Sequence, residues 1–184
     1  HPCGSPPTLV PPPPSAYITS DLDIFKTVKL NFGGDAQVFT MDSNIHLYRN
    51  INALPGSVSD SAFKVNAGAP ALNGMFRKFY RYRSTGYVNA TTAWTNEPLI
   101  LATDDGAYAL GMYAPNANGV APVYGWQYAS SLNAAEQTGA ASVVFNYASG
   151  KNGSTVSQRV IFVVGSTNTV KRKLKALATG QPTQ

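Results

Sequence analysis

Beyond residue 17 the chain alternates short runs rich in apolar, β-branched and aromatic residues with clusters of Gly, Asn, Asp and Ser. The runs cover residues 24–32, 37–41, 45–50, 76–83, 99–103, 107–113, 123–128, 142–148 and 156–164, lengths that predict strands. Residues 76–83 alternate tightly. Phe76, Lys78, Tyr80 and Tyr82 fall on one face, and Arg77, Phe79, Arg81 and Arg83 on the other. Asp104-Asp105-Gly106 separates two runs and predicts a hairpin closed by a type I′ turn. In its second arm Tyr108, Leu110 and Met112 read as core. Ala107, Ala109, Gly111 and Tyr113 form a face small enough for a ligand or neighbouring strand to approach the backbone. After Gly165 the period changes. Residues 166–169 supply N-cap chemistry, and Val170, Leu174 and Leu177 at i, i+4 and i+7 predict a short amphipathic helix. Lys171, Arg172, Lys173 and Lys175 read as its solvated face and last turns, where they complement the helix dipole. The fold class expected is all-β: an antiparallel β-sandwich, jelly-roll-like, with a short C-terminal α-helix.

The first sixteen residues, HPCGSPPTLVPPPPSA, break that pattern. Their prolines favour an extended polyproline II rod, so residues 1–16 read as a leader or linker and residues 17–180 as a single sandwich domain. Charged residues make up 12% of the chain, about half the usual share of roughly 25%. Ser, Thr, Asn, Gly and Tyr supply the missing polarity, a profile expected of a secreted, extracellular protein. The net charge of +5 comes with no nucleic-acid-binding motif, so no nucleic-acid partner is expected. No run approaches membrane-spanning length. Cys3 is the only cysteine, which excludes an internal disulfide and leaves a tail thiol or a bond to another chain. With His rather than Met at position 1, the chain reads as a mature or excised segment.

Candidate chemistry concentrates between Trp94 and Tyr128. Tyr124, Trp126 and Tyr128 alternate with Val123, Gly125 and Gln127. On a strand, same-face rings would stand about 6.6 Å apart. Such a ladder stacks on sugar rings if exposed and fills a sandwich core if buried. Trp94 would edge the site, Tyr113 would stand on the small face of its strand, and Glu97 or Asp104 would accept hydrogen bonds from hydroxyls. Glycoside hydrolysis would need two carboxylates about 5–9.5 Å apart, for which Glu97 and Asp104 are the catalytic candidates. Asp104 and Asp105 have a competing role as turn formers before Gly106. Arg77, Arg81 and Arg83 read as a solvent-facing stripe or as holders of a sugar carboxylate. His1 and His46 are the only histidines and the only metal candidates, through the copper brace that an N-terminal His builds with a second His. No Gly-x-Ser-x-Gly, phosphate loop or zinc spacing occurs, and no cofactor is expected.

Two segments are similar to a known family. WTNEPLILATDDGAYALGMYAPN, with Ala109-Leu110-Gly111 where the pattern carries Gly-Leu-Gly, resembles a segment near the end of large galactose-mutarotase-like, carbohydrate-active bacterial proteins. RVIFVVGSTNTVKRKLKAL resembles the strand, Gly-Ser and short helix that close those chains. Together they cover about forty residues. The resemblance implies a β-sandwich from a polysaccharide-associated protein. The function expected is a carbohydrate-binding or accessory sandwich of a secreted glycan-active protein, its partner a poly- or oligosaccharide. The alternatives are a polysaccharide-degrading hydrolase or lyase, a His1 copper oxygenase, and an assembly protein such as a capsid or surface-layer sandwich that self-associates.

Overall fold

The computed structural model describes residues 22–52, 63–68, 71–73, 76–83, 86–89, 94–128 and 138–180. In chain order its strands are β1 (Leu22–Lys29), β2 (Val38–Leu47), β3 (Ile51–Asn52), β4 (Phe63–Gly68), β5 (Ala71–Asn73), β6 (Phe76–Arg83) and β7 (Gly86–Asn89). There follow β8 (Trp94–Thr95), β9 (Leu99–Thr103), β10 (Ala109–Tyr113), β11 (Pro122–Tyr128), β12 (Thr138–Tyr147), β13 (Ser149–Gly150) and β14 (Thr155–Gly165). One helix, α1 (Thr167–Thr179), closes the described chain. A seven-stranded sheet runs β1-β2-β14-β10-β9-β6-β7. A five-stranded sheet runs β4-β12-β11-β8, with β5 also on β12. Neighbours in both sheets are antiparallel. The two sheets pack together, so the expected β-sandwich with a C-terminal helix is the fold. The leader lies outside the described residues.

Alternation along the strands sorts side chains between the faces. Ile45, Leu47, Phe79, Leu101, Leu110, Met112, Val160 and Phe162 of the larger sheet meet Tyr124, Val143, Phe145 and Tyr147 of the smaller one. The other face of the larger sheet carries Val38, Ile100, Ala102, Ala109, Ile161 and Val163, covered by Val170 and Leu174 of α1. Because β9 lies between the second sheet and the helix, all five of its residues are buried. A strand covered on both faces reads as a continuous apolar run, here LILAT, rather than an alternating one. Burying Val170 and Leu174 completely contributes about 1.5–3 kcal/mol each.

Several local expectations change once packing is known. The runs expected at 37–41 and 45–50 join in one strand, β2, which ends at Leu47 and leaves residues 48–50 outside it. The strand expected over residues 24–32 stops at Lys29, because Asn31 is left-handed (φ 54°) and a 3-10 turn follows over Phe32–Gly34. In β6 a bulge after Phe76 breaks strict alternation, so Phe76 packs beside Phe79 against the inner core. Tyr108 is not core: it precedes β10 and is 63% exposed, while Leu110 and Met112 are buried. What approaches the small face of β10 is the helix. A Cβ on Gly111 would stand 2.0 Å from Leu174 Cδ1 and 2.6 Å from Val170 Cγ1. Ser166 caps α1 as expected, its Oγ accepting from the Thr169 N–H at 3.3 Å. The basic run is not simply a solvated face, and none of it lies in the last turn. Lys173 is buried and pairs with Asp35, and Lys171 sits 4.2 Å from the centre of the Tyr80 ring. The described helix is not long and apolar enough to cross a membrane.

Candidate functional site

Among the connections that cross between the sheets at one end of the sandwich, two lie together. Residues 96–98 run from β8 in the smaller sheet to β9 in the larger, and residues 114–121 return from β10 to β11. They lie side by side because Leu99, which opens β9, pairs with Met112 near the end of β10. Between them is a cleft of about 380 Å³, lined by Asn96, Pro98, Tyr113, Pro115 and Asn116, with Tyr124 among its walls. That volume is within the roughly 300–1,000 Å³ typical of small-molecule sites. Three prolines, counting Pro122, give it stiff apolar walls, and two asparagine amides offer both donors and acceptors.

The first connection is held by Glu97. Its N–H donates to Thr95 Oγ1 at 3.2 Å, the Thr95 hydroxyl donates back to Glu97 Oε2 at 3.3 Å, and Arg81 Nε lies 3.4 Å from that oxygen. Glu97 is therefore tied to the scaffold beside the cleft, and Arg81 belongs to this ion pair rather than to a free stripe. The second connection contains Asn118-Gly119, with both residues at positive φ (51° and 78°). Ala117 and Val120 exchange two backbone hydrogen bonds of 2.9 Å around them. This is the two-residue turn geometry that Asn-Gly favours. At Asp105-Gly106, where type I′ was expected, only Gly106 has positive φ. There Asp105 accepts from Thr103 Oγ1 at 2.5 Å and from the Ala107 N–H at 3.0 Å. Those bonds, the Thr103 one first, hold its carboxyl below the usual carboxylate range.

Trp94 is 58% exposed. It pairs with Gly125 across β8 and β11, and its Cε3, Cζ3 and Cη2 stand 2.3–2.7 Å from where a Gly125 Cβ would be. The absent side chain of Gly125 is thus the seat of the indole. One part of the ring is supported by backbone, and the residue as a whole is more than half exposed.

The aromatic ladder is corrected by the same strand. Tyr124 is 1% exposed and packs in the inner core. Its hydroxyl accepts from the Ala114 N–H at 2.8 Å and donates to the Ala114 carbonyl at 3.3 Å; burial pushes its pKa up. Tyr124 is therefore a core residue bracing the cleft, not an exposed stacking ring. It turns inward because Gly125, whose place the indole fills, takes the opposite face. Trp126 and Tyr128 lie on β11 opposite Ala141 and Gly139, and their side chains fall outside the described ones. Tyr113 is half-buried, packed toward α1 and lining the cleft. Asp104 sits in the exposed turn, its carbonyl accepting from Lys78 Nζ. Glu97 and Asp104 lie beyond opposite ends of the five-residue β9, whose end residues alone are about 13 Å apart at 3.3 Å per residue. That separation exceeds the ~5–9.5 Å needed between paired glycosidase carboxylates. His46 Nδ1 is 3.1 Å from Thr155 Oγ1, and its ring meets that of Tyr48 edge-on at 4.8 Å. His1 lies outside the described residues. Among those described, no three of His, Cys, Asp and Glu stand close enough to hold a metal ion.

Sequence reasoning missed Asn96, Pro98, Pro115 and Asn116. They belong to connections rather than strands, and only the Asn118-Gly119 pair signalled that a tight turn lay among them. No protein-family model matches the chain, and no curated protein matches it.

Proposed function

We propose that the chain is a carbohydrate-binding or accessory sandwich of a secreted glycan-active protein, with its ligand held at the crossover end of the sandwich. The observation that carries this reading is the half-exposed indole of Trp94 seated on Gly125, two residues from the Asn96–Tyr113–Asn116 cleft. A flat aromatic surface held by backbone stacks on a pyranose face at little entropic cost. The asparagines and Glu97 complement hydroxyls. The resemblance of residues 94–116 and 159–177 to carbohydrate-active sandwiches supports the same ligand class. The test is calorimetric titration of soluble poly- and oligosaccharides against the chain and against Trp94→Ala. Losing the stacking contact, at about 0.5–1.5 kcal/mol, weakens binding by roughly 2- to 13-fold. Equal binding by a folded Trp94→Ala variant would remove Trp94 from the site.

A second reading, an assembly protein, has an observation of its own. The edge strand β1 and the residue just after it expose Ile24, Phe25, Val28 and Leu30, and an open apolar edge invites strand pairing between copies. It predicts a concentration-dependent oligomer in sedimentation. A monomer at all concentrations argues against it.

A further inference from the structure

A second cleft, of about 390 Å³, lies across Pro115 and Asn116 from the first, and both residues line both clefts. It opens beside β14 where β10 has ended. Its floor is built by register. Cross-strand neighbours on the outer face of β2 and β14 are polar pairs already bonded to each other. Arg159 donates to Asp42 through Nε at 2.6 Å and a terminal nitrogen at 3.0 Å, and Ser157 Oγ donates to Asn44 Oδ1 at 2.7 Å. The next rung is His46 with Thr155. On the neighbouring β1, Phe25 pairs with Asn44 and is 63% exposed, so an aromatic ring borders the polar floor on the same face. Asn116 and Asn118 form the opposite wall.

Of the charges lining this floor, Asp42 and Arg159 pair with each other, and Lys29 adds one positive charge at the exposed rim. Asp42 also has Lys29 at 3.5 Å, and Arg159 is spent on Asp42 and on the Phe32 ring, 5.6 Å away. A floor of paired charges, amides and a hydroxyl suits a neutral, hydroxyl-rich ligand better than an anion. The turn at Asn118-Gly119, closed by two backbone hydrogen bonds, keeps the ridge between the clefts rigid.

We infer that the two clefts are subsites for one ligand, an extended neutral oligosaccharide that crosses the Pro115–Asn116 ridge from Trp94 toward the Asn44–Ser157 floor. The inference rests on the carbohydrate reading above and adds that the ligand is a chain of several sugars rather than a terminal residue. It also makes Asn44 and Ser157 determinants of chain-length preference, while Asn116, lining both clefts, touches chains of every length.

The experiment is calorimetry with neutral cello-, xylo- and manno-oligosaccharides of one to six units, on the intact chain and on Asn44→Ala/Ser157→Ala. Both substitutions remove surface groups that satisfy one another, and far-ultraviolet circular dichroism confirms that the variant is folded. Expected is an affinity gain of at least roughly tenfold, one decade on the usual scale, between short and long members of one series. The variant abolishes the gain and leaves short-chain affinity unchanged. Asn116→Ala weakens both short and long chains. Equal affinity at all lengths, or a length gain retained by the double variant, overturns the inference while the Trp94 site stands. No binding of any sugar overturns the carbohydrate reading and this inference together.

Discussion

Replacing Gly111 by alanine tests how the helix is docked on the sheet. Gly111 has no left-handed backbone, so alanine fits its conformation and only space decides the outcome. Removing a glycine from a strand interior would by itself favour folding by about 0.5–1 kcal/mol. Against that stands a methyl group 2.0 Å from Leu174 Cδ1 and 2.6 Å from Val170 Cγ1. Leu174 is the flexible neighbour, but Val170 is β-branched and stiff, and both are fully buried. Overpacking of this kind costs about 1–3 kcal/mol, so the net expectation is a loss of roughly 1–2 kcal/mol. For a chain of this size that lowers Tm by about 2–8 °C. Leu174→Ala alone costs about 2–5 kcal/mol by leaving a cavity. In the double variant the new methyl occupies part of that cavity, so the loss falls short of the sum by roughly 0.5–3 kcal/mol. Urea unfolding of the four proteins, followed by circular dichroism, measures every term. A Gly111→Ala variant as stable as the parent, or strict additivity in the double variant, would refute the docking geometry.

Tyr124→Phe removes the hydroxyl that serves the Ala114 N–H and carbonyl inside the core. It should cost about 1–3 kcal/mol in chemical unfolding because a buried donor loses its partner; a neutral result would mean those bonds are not made. Acid should weaken the sandwich partly through Asp42, whose pKa is lowered by its hydrogen bonds to Arg159. A folded-state pKa below the unfolded value of about 3.9 gives stability that is complete above that value. That stability is lost as pH falls through the folded-state value, so the parent should lose more than Asp42→Asn below about pH 4. Parallel stability–pH curves for the two proteins would contradict the assignment.

Different parts of the molecule were legible to different degrees. The helix was readable to its cap, because Ser166 and the spacing of Val170 and Leu174 are local instructions. The span of β6 was equally readable, but its faces were not, since the bulge after Phe76 arises from pairing with β9. Lys173 looked like a surface charge, yet Asp35, 138 residues away in sequence, draws it into a buried pair. The site was less legible than the fold. Trp94 was visible as an aromatic beside a carboxylate, but its seat depends on the missing side chain of Gly125 across the sheet. Asn44 and Ser157 carried no signal at all, because they become a unit only through the β2–β14 register.

What the sequence determined by itself was therefore everything governed by short-range geometry: strands of period two, turns at Gly and Asn, a capped amphipathic helix, and from these a sandwich. Tertiary structure alone decided which face of each strand is covered. β9 is buried twice over, Tyr108 faces water, and Tyr124 belongs to the core. Backbone geometry sets the direction in which a side chain points relative to its neighbours. Whether that direction meets water, a second sheet or a helix depends on segments far away in the chain, and so does the union of scattered asparagines and one tryptophan at a single end of the fold.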